Sequence, residues 1–163
     1  MAKKALIIID VQNYFVNELT KLIPENIVKH LNKADYDYIV FTKFINKEGS
    51  NFFKLLNWKK MPSGYETEIH NSLIKFVDKN NVFTKNSYSI FKARGLNNFL
   101  KKNKVGALFL CGIDTEACVL ASAFEAFDLG FDVKIIKELC SSHSSTSLHK
   151  AALNIINKCI QKI

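Results

Sequence analysis

The sequence has little of what would assign it to a fibrous, disordered or membrane class. It holds 2 prolines and 6 glycines in 163 residues, which excludes a collagen-like or linker-like chain. Its longest apolar runs, such as residues 5–9 and 107–111, have strand length and fall far below the roughly 20 residues of a membrane span. The first run ends at Asp10 and is too short for a signal peptide. We therefore expect a cytoplasmic protein with no membrane partner.

Cysteine pairs and metal-ligand clusters are also missing from the sequence. No C-x-x-C spacing and no Cys/His cluster of the kind that binds zinc occurs among the four cysteines, Cys111, Cys118, Cys140 and Cys159. The four histidines are scattered, and none has ligand spacing with another: His30, His70, His143 and His149. A disulfide framework is not expected, and a reactive free thiol is a candidate function. We expect His149 to pack or cap within the last helix.

Arginine is nearly absent, although the chain is basic. The formal charge is +8, from 23 Lys+Arg against 15 Asp+Glu, yet Arg94 is the sole arginine. Proteins that read bases rely on the planar fork of arginine, so this positive charge is more typical of a lysine-rich solvated surface. We expect no nucleic-acid partner. The positive charge is better explained by an anionic small substrate.

Apolar runs without alternation indicate strands that are covered on both faces, as in a parallel sheet. Three runs are clear, at residues 4–10, 38–42 and 105–112, and three are weaker, at 132–137, 82–85 and 158–163. Segments of helical period lie between them, at 24–32, 68–76, 96–102, 115–129 and 145–157. This alternation predicts a doubly wound three-layer α/β/α sandwich with a mostly parallel five- to six-stranded sheet, in one domain over residues 1–163. Residues 46–65 are irregular and rich in aromatics, which is typical of a loop or lid.

Three polar residues fall where ligands bind in open parallel sheets, at the carboxyl ends of strands. Asp10 closes the first strand, Lys85 closes a weaker one, and Cys118 follows the strand at 105–112. Each residue also has a purely structural interpretation. A cysteine at such a position is often a small buried apolar residue, an aspartate is often a helix cap, and a lysine is often a surface residue. Their convergence at one sheet edge nevertheless predicts a catalytic site.

The chemistry of these residues suits nucleophilic catalysis. A helix N-terminus and the Lys85 ammonium would both lower the pKa of the Cys118 thiol and favour the thiolate. Asp10 can accept the thiol proton and return it to a leaving amine. Backbone amides over residues 113–118 are candidates for binding a developing oxyanion.

Three motifs resemble those of the isochorismatase-like cysteine hydrolases, which include nicotinamidases and other amidohydrolases. ALIIIDVQNYF is similar to the family's first strand, KNSYSIF to its lysine motif, and CGIDTEACV to its nucleophile motif. The resemblance spans nearly the whole chain and implies Cys118 as nucleophile, Asp10 as base and Lys85 as the thiolate-stabilising cation. It also implies a cis peptide bond between Ile113 and Asp114, with the amides of Asp114 and Cys118 as oxyanion donors.

Departures from the family pattern refine the expectation. Nicotinamidases carry an Asp-x-His pair after the second strand, with a further His, to hold a metal, whereas this chain reads TKFINKEGSNFF there. We therefore expect no metal or other cofactor, and no nicotinamidase activity. The usual Asp of the D-A-C-x-S element is replaced by Glu138, a change without an explanation in the sequence.

The sequence thus predicts an amidohydrolase that cleaves a small C–N substrate through a thioester. Aromatic residues are expected to form the substrate walls: Phe15, Phe44, Trp58, Tyr88 and Phe91. A catalytically silent or redox-reactive scaffold on the same fold stays open as the alternative. A nucleotide-binding module is disfavoured, because no glycine-rich phosphate loop follows the first strand. A homo-oligomer is possible, since oligomers are common in the family.

Overall fold

The computed structural model describes residues 2–161 and contains a parallel sheet of five strands in the order β3-β2-β1-β4-β5. The strands are β1 (Lys3–Ile9), β2 (Tyr38–Phe44), β3 (Val82–Lys85), β4 (Val105–Ile113) and β5 (Asp132–Ser141). The described residues also form five α-helices: α1 (Ile23–Leu31), α2 (Asn51–Leu56), α3 (Leu96–Lys102), α4 (Leu120–Asp128) and α5 (Thr146–Cys159). The predicted α/β sandwich with a parallel sheet is confirmed.

The central strand β1 is apolar without alternation because both of its faces are covered. Residues 5–9 are fully buried, in line with the pattern of a strand inside a parallel sheet. In the register of the sheet, Ile9 lies opposite Thr42 of β2 and opposite Gly112 of β4. The carboxyl ends of β1, β2 and β4 therefore meet at one edge, which is where the candidate residues lie.

Gly112 is required where β4 passes β1. A Cβ atom at this position would lie 2.1 Å from the carbonyl oxygen of Ile9, and the backbone φ is +122°. Both the close approach and the positive φ favour glycine. The contact brings the end of β4 against the end of β1 and so sets the distance between the segments that carry Cys118 and Asp10.

Two predicted elements are wrong in part. A helix was expected over residues 68–76, but Ile69 forms an antiparallel bridge with Gln12, and a 3-10 helix begins only at Asn71. A sixth strand was expected over residues 158–163, but α5 continues to Cys159. The side chain of Gln161 accepts a hydrogen bond of 2.7 Å from the amide of Ile135 on β5, a bond that a further strand would otherwise supply. Residues 162–163 lie outside the described residues.

Two other segments differ from expectation in detail. The helix expected over residues 115–129 opens with a π-helical turn, Thr115–Val119, before α4 begins. The irregular segment 46–65 contains the short helix α2, capped by the hydroxyl of Ser50, which accepts a hydrogen bond from the amide of Phe53. Within residues 2–161, no helix has the length and apolar character needed to cross a membrane.

Candidate active site

Asp10, Lys85 and Cys118 meet at the carboxyl edge of the sheet. The Nζ atom of Lys85 lies 2.5 Å from Oδ2 of Asp10 and 3.4 Å from Sγ of Cys118. Asp10 directly follows β1 and has a left-handed backbone with φ 51°, while Lys85 is the last residue of β3. Non-glycine residues with positive φ are uncommon and concentrate at functional sites. The structure thus brings together the three side chains that the sequence singled out.

Each polar group in this cluster has partners. Besides Asp10 and Cys118, the ammonium of Lys85 donates to the carbonyl oxygen of Ser87 at 2.8 Å. The other carboxylate oxygen of Asp10, Oδ1, accepts a hydrogen bond of 2.7 Å from the hydroxyl of Thr42. The side chains of Lys85 and Asp10 have no solvent exposure, so these bonds replace the water that the charges lose.

Lys85 keeps its charge despite its burial. Burial alone would lower the pKa of this amine, but the neighbouring Asp10 carboxylate and the Cys118 sulfur outweigh that effect, and the pKa is raised above its usual value. The site therefore holds an ion pair between Lys85 and Asp10 at neutral pH, with the thiol beside it.

The prediction of a lowered pKa for Cys118 is wrong. Burial raises the pKa of this thiol well above its usual value, the Lys85 ammonium lowers it, and the Asp10 carboxylate raises it again. The thiol consequently carries its proton in the substrate-free protein, and its activation requires a base at the moment of attack.

The segment before Cys118 has an unusual backbone. The peptide bond between Ile113 and Asp114 is cis. In the π-helical turn that follows, the carbonyl of Asp114 accepts hydrogen bonds from the amides of Ala117, at 3.2 Å, and Val119, at 3.0 Å. These are the residues on either side of Cys118. Single π-helical turns occur frequently at functional sites.

A cavity of about 380 Å³ opens above Cys118. That volume suits a small organic molecule. Four of the five aromatic residues expected to bind substrate line it: Phe15, Phe44, Trp58 and Tyr88. Phe91 is not among the lining residues, because it is buried and stacks on Phe131 with ring centroids 5.8 Å apart.

The sequence analysis missed further residues of the cavity. Phe52 of α2 completes the aromatic wall and contacts both Phe44 and Tyr88, with ring centroids 4.9 Å apart in each pair. Glu116 and His143 line the polar side, together with Asp114. His143 could have been found by the rule that found Asp10, because it follows the end of β5 at the same sheet edge.

Gln12 connects the first two strands beneath the cavity. Its side-chain oxygen accepts a hydrogen bond of 2.7 Å from the amide of Phe44, and its side-chain nitrogen donates to the carbonyl of Phe44 at 2.9 Å. The same nitrogen donates to the carbonyl of Thr67 at 2.6 Å. A buried amide side chain with these bonds fixes the backbone that carries the Phe44 ring.

The residues at the end of β2 and just after it do not fit a metal site. Phe44 has no ligand atom in its side chain, and the amide of Asn46 donates to the carbonyls of Trp58, at 2.8 Å, and Lys60, at 3.0 Å. The amide oxygen of Asn46 accepts a hydrogen bond from the hydroxyl of Ser50. Between residues 2 and 161, no three or more His, Cys, Asp or Glu side chains are grouped so that they could hold a metal ion. Activity without a metal stays a prediction.

Two other residues raised by the sequence lie outside the cavity lining. Glu138 is exposed on β5, and nothing in the structure explains its replacement of the usual Asp. His149 lies within α5 and packs rather than caps, with its Nδ1 atom 2.8 Å from the hydroxyl of Thr115. This contact joins α5 to the π-helical turn that carries Cys118.

Comparisons with known proteins agree with this fold. The model of the isochorismatase domain matches residues 4–163. The chain is 28% identical over 159 residues to the uncharacterized isochorismatase family protein PncA of Bacillus subtilis, which covers 86% of this chain and 87% of the relative.

Solved structures superpose over nearly the whole chain. The nicotinamidase PncA from Bacillus subtilis has a TM-score of 0.82 at 25% identity, covering 97% of this chain and 96% of that one. The pyrazinamidase/nicotinamidase from Streptococcus mutans has a TM-score of 0.78 at 26% identity, with coverage of 96% and 97%. The chain therefore belongs to the isochorismatase family.

Proposed function

We propose that the protein is a cysteine-dependent amidohydrolase, which cleaves a C–N bond of a small amide through a thioester on Cys118. The observation that carries the proposal is the position of the Lys85 ammonium, in contact with both the Asp10 carboxylate and the Cys118 sulfur. A buried cation, acid and thiol in mutual contact form a nucleophile with its base and its electrostatic support. The cavity directly above the thiol gives a substrate access to it.

In the first step, Sγ of Cys118 attacks the amide carbonyl carbon. Asp10 takes the thiol proton as the S–C bond forms, and Lys85 stabilises the negative charge that develops on sulfur. The carbonyl oxygen becomes an oxyanion, which the amides of Asp114 and Cys118 bind. The Cys118 amide is suited to this because the amides on either side of it bond to the Asp114 carbonyl.

The tetrahedral intermediate then collapses. Its C–N bond breaks, Asp10 gives its proton to the departing nitrogen, and ammonia or an amine leaves the thioester behind. In the second half, Asp10 accepts a proton from water as the water oxygen attacks the thioester carbonyl. The C–S bond breaks, the thiolate takes the proton from Asp10, and a carboxylic acid is released.

The raised pKa of Cys118 supports this order of events. A thiol that holds its proton at rest needs Asp10 as a base during attack, and a proton on Asp10 is then ready for the leaving nitrogen. The names of the two solved relatives, a nicotinamidase and a pyrazinamidase/nicotinamidase, support amides of small ring acids as the first substrates to test. Nicotinamide itself is expected to be a poor substrate, because the chain lacks the Asp-x-His pair of nicotinamidases. The aromatic walls suit a planar ring.

Ammonia release from a panel of small amides tests the proposal, with nicotinamide, pyrazinamide, benzamide and a small ureide as first members. Rapid acid quenching followed by mass spectrometry of the peptide that carries Cys118 detects the acyl group. We expect ammonia release by the wild type and by Cys159→Ala, an exposed control cysteine, and an acyl adduct on Cys118. A folded wild type that releases ammonia from no amide would overturn the proposal and favour a silent scaffold.

A further inference from the structure

The carboxylate of Asp114 holds His143 at two points. Its Oδ1 atom accepts a hydrogen bond of 2.7 Å from the backbone amide of His143, and its Oδ2 atom lies 2.6 Å from Nδ1 of the imidazole. The two residues are 29 positions apart and come from the ends of different strands, β4 and β5. Such a two-point contact fixes both the loop after β5 and the orientation of the ring.

The orientation of this ring leaves one nitrogen for a ligand. An ionised carboxylate only accepts hydrogen bonds, so Nδ1 carries a proton and donates it to Asp114. Nε2 is then the nitrogen that a bound molecule can reach. The ring packs edge-on against Phe15, with centroids 5.2 Å apart, and lines the same cavity as Cys118.

The charged groups around His143 favour its protonated form. The hydrogen bond to Asp114 raises the pKa of the imidazole, burial lowers it, and the charges of Asp114 and Glu116 raise it further. Glu116 is itself held by the hydroxyls of Ser142 and Ser144. Lys60 lies over the Tyr14 ring, which packs against His143.

On the basis of the proposed hydrolase function, we propose that His143 is a specificity-determining residue that donates a hydrogen bond from Nε2 to a carboxylate of the substrate. The substrate class is then a small amide that carries a carboxylate beyond the scissile bond. An imidazolium bound to a carboxylate forms a charge-assisted hydrogen bond. The other charged residues of the lining are Asp114, which holds the imidazole, and Glu116, whose Oε1 atom accepts hydrogen bonds from the hydroxyls of Ser142 and Ser144, and the opposite wall is aromatic. The net charge of +8 also favours approach of an anion.

Binding without turnover tests the inference independently of hydrolysis. Trp58 is the sole tryptophan and lines the cavity, so its fluorescence reports occupancy directly. In a Cys118→Ala background, 3-carbamoylbenzoate is compared with benzene-1,3-dicarboxamide, which differs in replacing the carboxylate by a neutral amide. We expect the carboxylate probe to bind about tenfold more tightly at pH 6. The preference should disappear as pH rises, because His143 then loses its proton.

Variants distinguish a carboxylate preference that depends on His143 from one caused by the overall positive charge of the protein. His143→Gln should abolish both the preference and its pH dependence while the neutral probe still binds. Asp114→Asn should move the midpoint of the pH dependence to lower pH, because the anion that raises the pKa of His143 is gone. His149→Gln, which changes a histidine outside the cavity lining, should leave both readings unchanged.

Equal affinity for the two probes throughout the pH range would overturn the inference, as would a preference that survives in His143→Gln. Failure to bind the carboxylate probe at any pH would also overturn it. Ammonia release from neutral amides without a carboxylate preference would leave the proposed hydrolase standing and remove only the role of His143. A carboxylate preference without any hydrolysis would leave the role of His143 standing and remove the proposed hydrolase.

Discussion

Lys85 and Asp10 form a fully buried ion pair, with 2.5 Å between Nζ and Oδ2, although 75 positions separate them in the chain. Burying two charges costs several kcal/mol each, and the pair offsets this only while both partners are present. This ion pair therefore lowers the stability of the fold unless both partners are present, and it places a cation and a carboxylate beside the Cys118 thiol. This relationship leads to the first prediction.

Removing one partner of this pair should destabilise the fold strongly. Lys85→Met leaves the Asp10 carboxylate buried and unpaired, and we expect a loss of about 3–5 kcal/mol in the free energy of unfolding. The double variant Asp10→Asn/Lys85→Met, which leaves no buried charge, should recover at least half of that loss. Urea unfolding measures both values.

The exposed pair of Lys21 and Glu18 provides the control for this series. Lys21→Met should change the free energy of unfolding by no more than about 0.5 kcal/mol, because exposed ion pairs contribute little. If Lys85→Met were as mild as Lys21→Met, the buried ion pair would not exist in the folded protein.

The pH dependence of thiol alkylation should reflect the environment of Cys118. We expect half-maximal labelling by iodoacetamide at a pH above the ordinary thiol pKa of about 8.5, because burial and the Asp10 carboxylate disfavour the thiolate. Lys85→Ala removes a cation and should raise this midpoint further, whereas Asp10→Asn removes an anion and should lower it. Exposed Cys159 serves as a reference thiol in the same sample.

Mass spectrometry of the labelled peptides distinguishes the two cysteines. A Cys118 that reacts faster than Cys159 at pH 6 would contradict the description of a thiol that is protonated at rest. It would instead indicate that Cys118 is a thiolate at rest, as the sequence predicts.

Gly112→Ala should disrupt the contact between β4 and β1. The new Cβ would meet the carbonyl oxygen of Ile9 at 2.1 Å, and we expect destabilisation of about 2 kcal/mol or more together with loss of activity. Gly130→Ala is the matched control, because that glycine also has a positive φ, +83°, but has nothing within 4 Å of the added atom. It should cost about 1 kcal/mol, the strain of the backbone alone. Equal losses in the two variants would contradict the close approach.

Chelation should leave amide hydrolysis unchanged. At the end of β2 lies Phe44, which has no ligand atom in its side chain, and after it comes Asn46, whose amide is bonded to Trp58, Lys60 and Ser50. We expect the rate after dialysis against EDTA to match the rate before it. Loss of activity that returns on addition of zinc or manganese would show that a metal takes part.

The order of elements and the contact among Asp10, Lys85 and Cys118 could be predicted from the sequence because they depend on simple regularities. Continuous apolar runs such as residues 5–9 indicate strands covered on both faces, and the ends of parallel strands converge. That rule placed Asp10 and Lys85 together across 75 positions. The motif around Cys118 then predicted the cysteine that lies beside this pair.

The remaining differences come from interactions that a local pattern does not contain. The helix expected at residue 68 is replaced because Ile69 pairs with Gln12, a partner far away in the chain. The pKa of Cys118 differs from the expectation because the local pattern contains a helix start and a lysine, but not the burial of the thiol. Phe91 was assigned to the cavity by proximity in sequence, whereas its ring turns into the core towards Phe131.

The decisive measurement is hydrolysis by Cys118→Ala, assayed beside the wild type and Cys159→Ala on the same amide. We expect the wild type and Cys159→Ala to release ammonia at equal rates, and the rate of Cys118→Ala to fall at least a thousandfold because no nucleophile remains. Turnover by Cys118→Ala at a rate comparable with the wild type would contradict the assignment of Cys118 as the nucleophile.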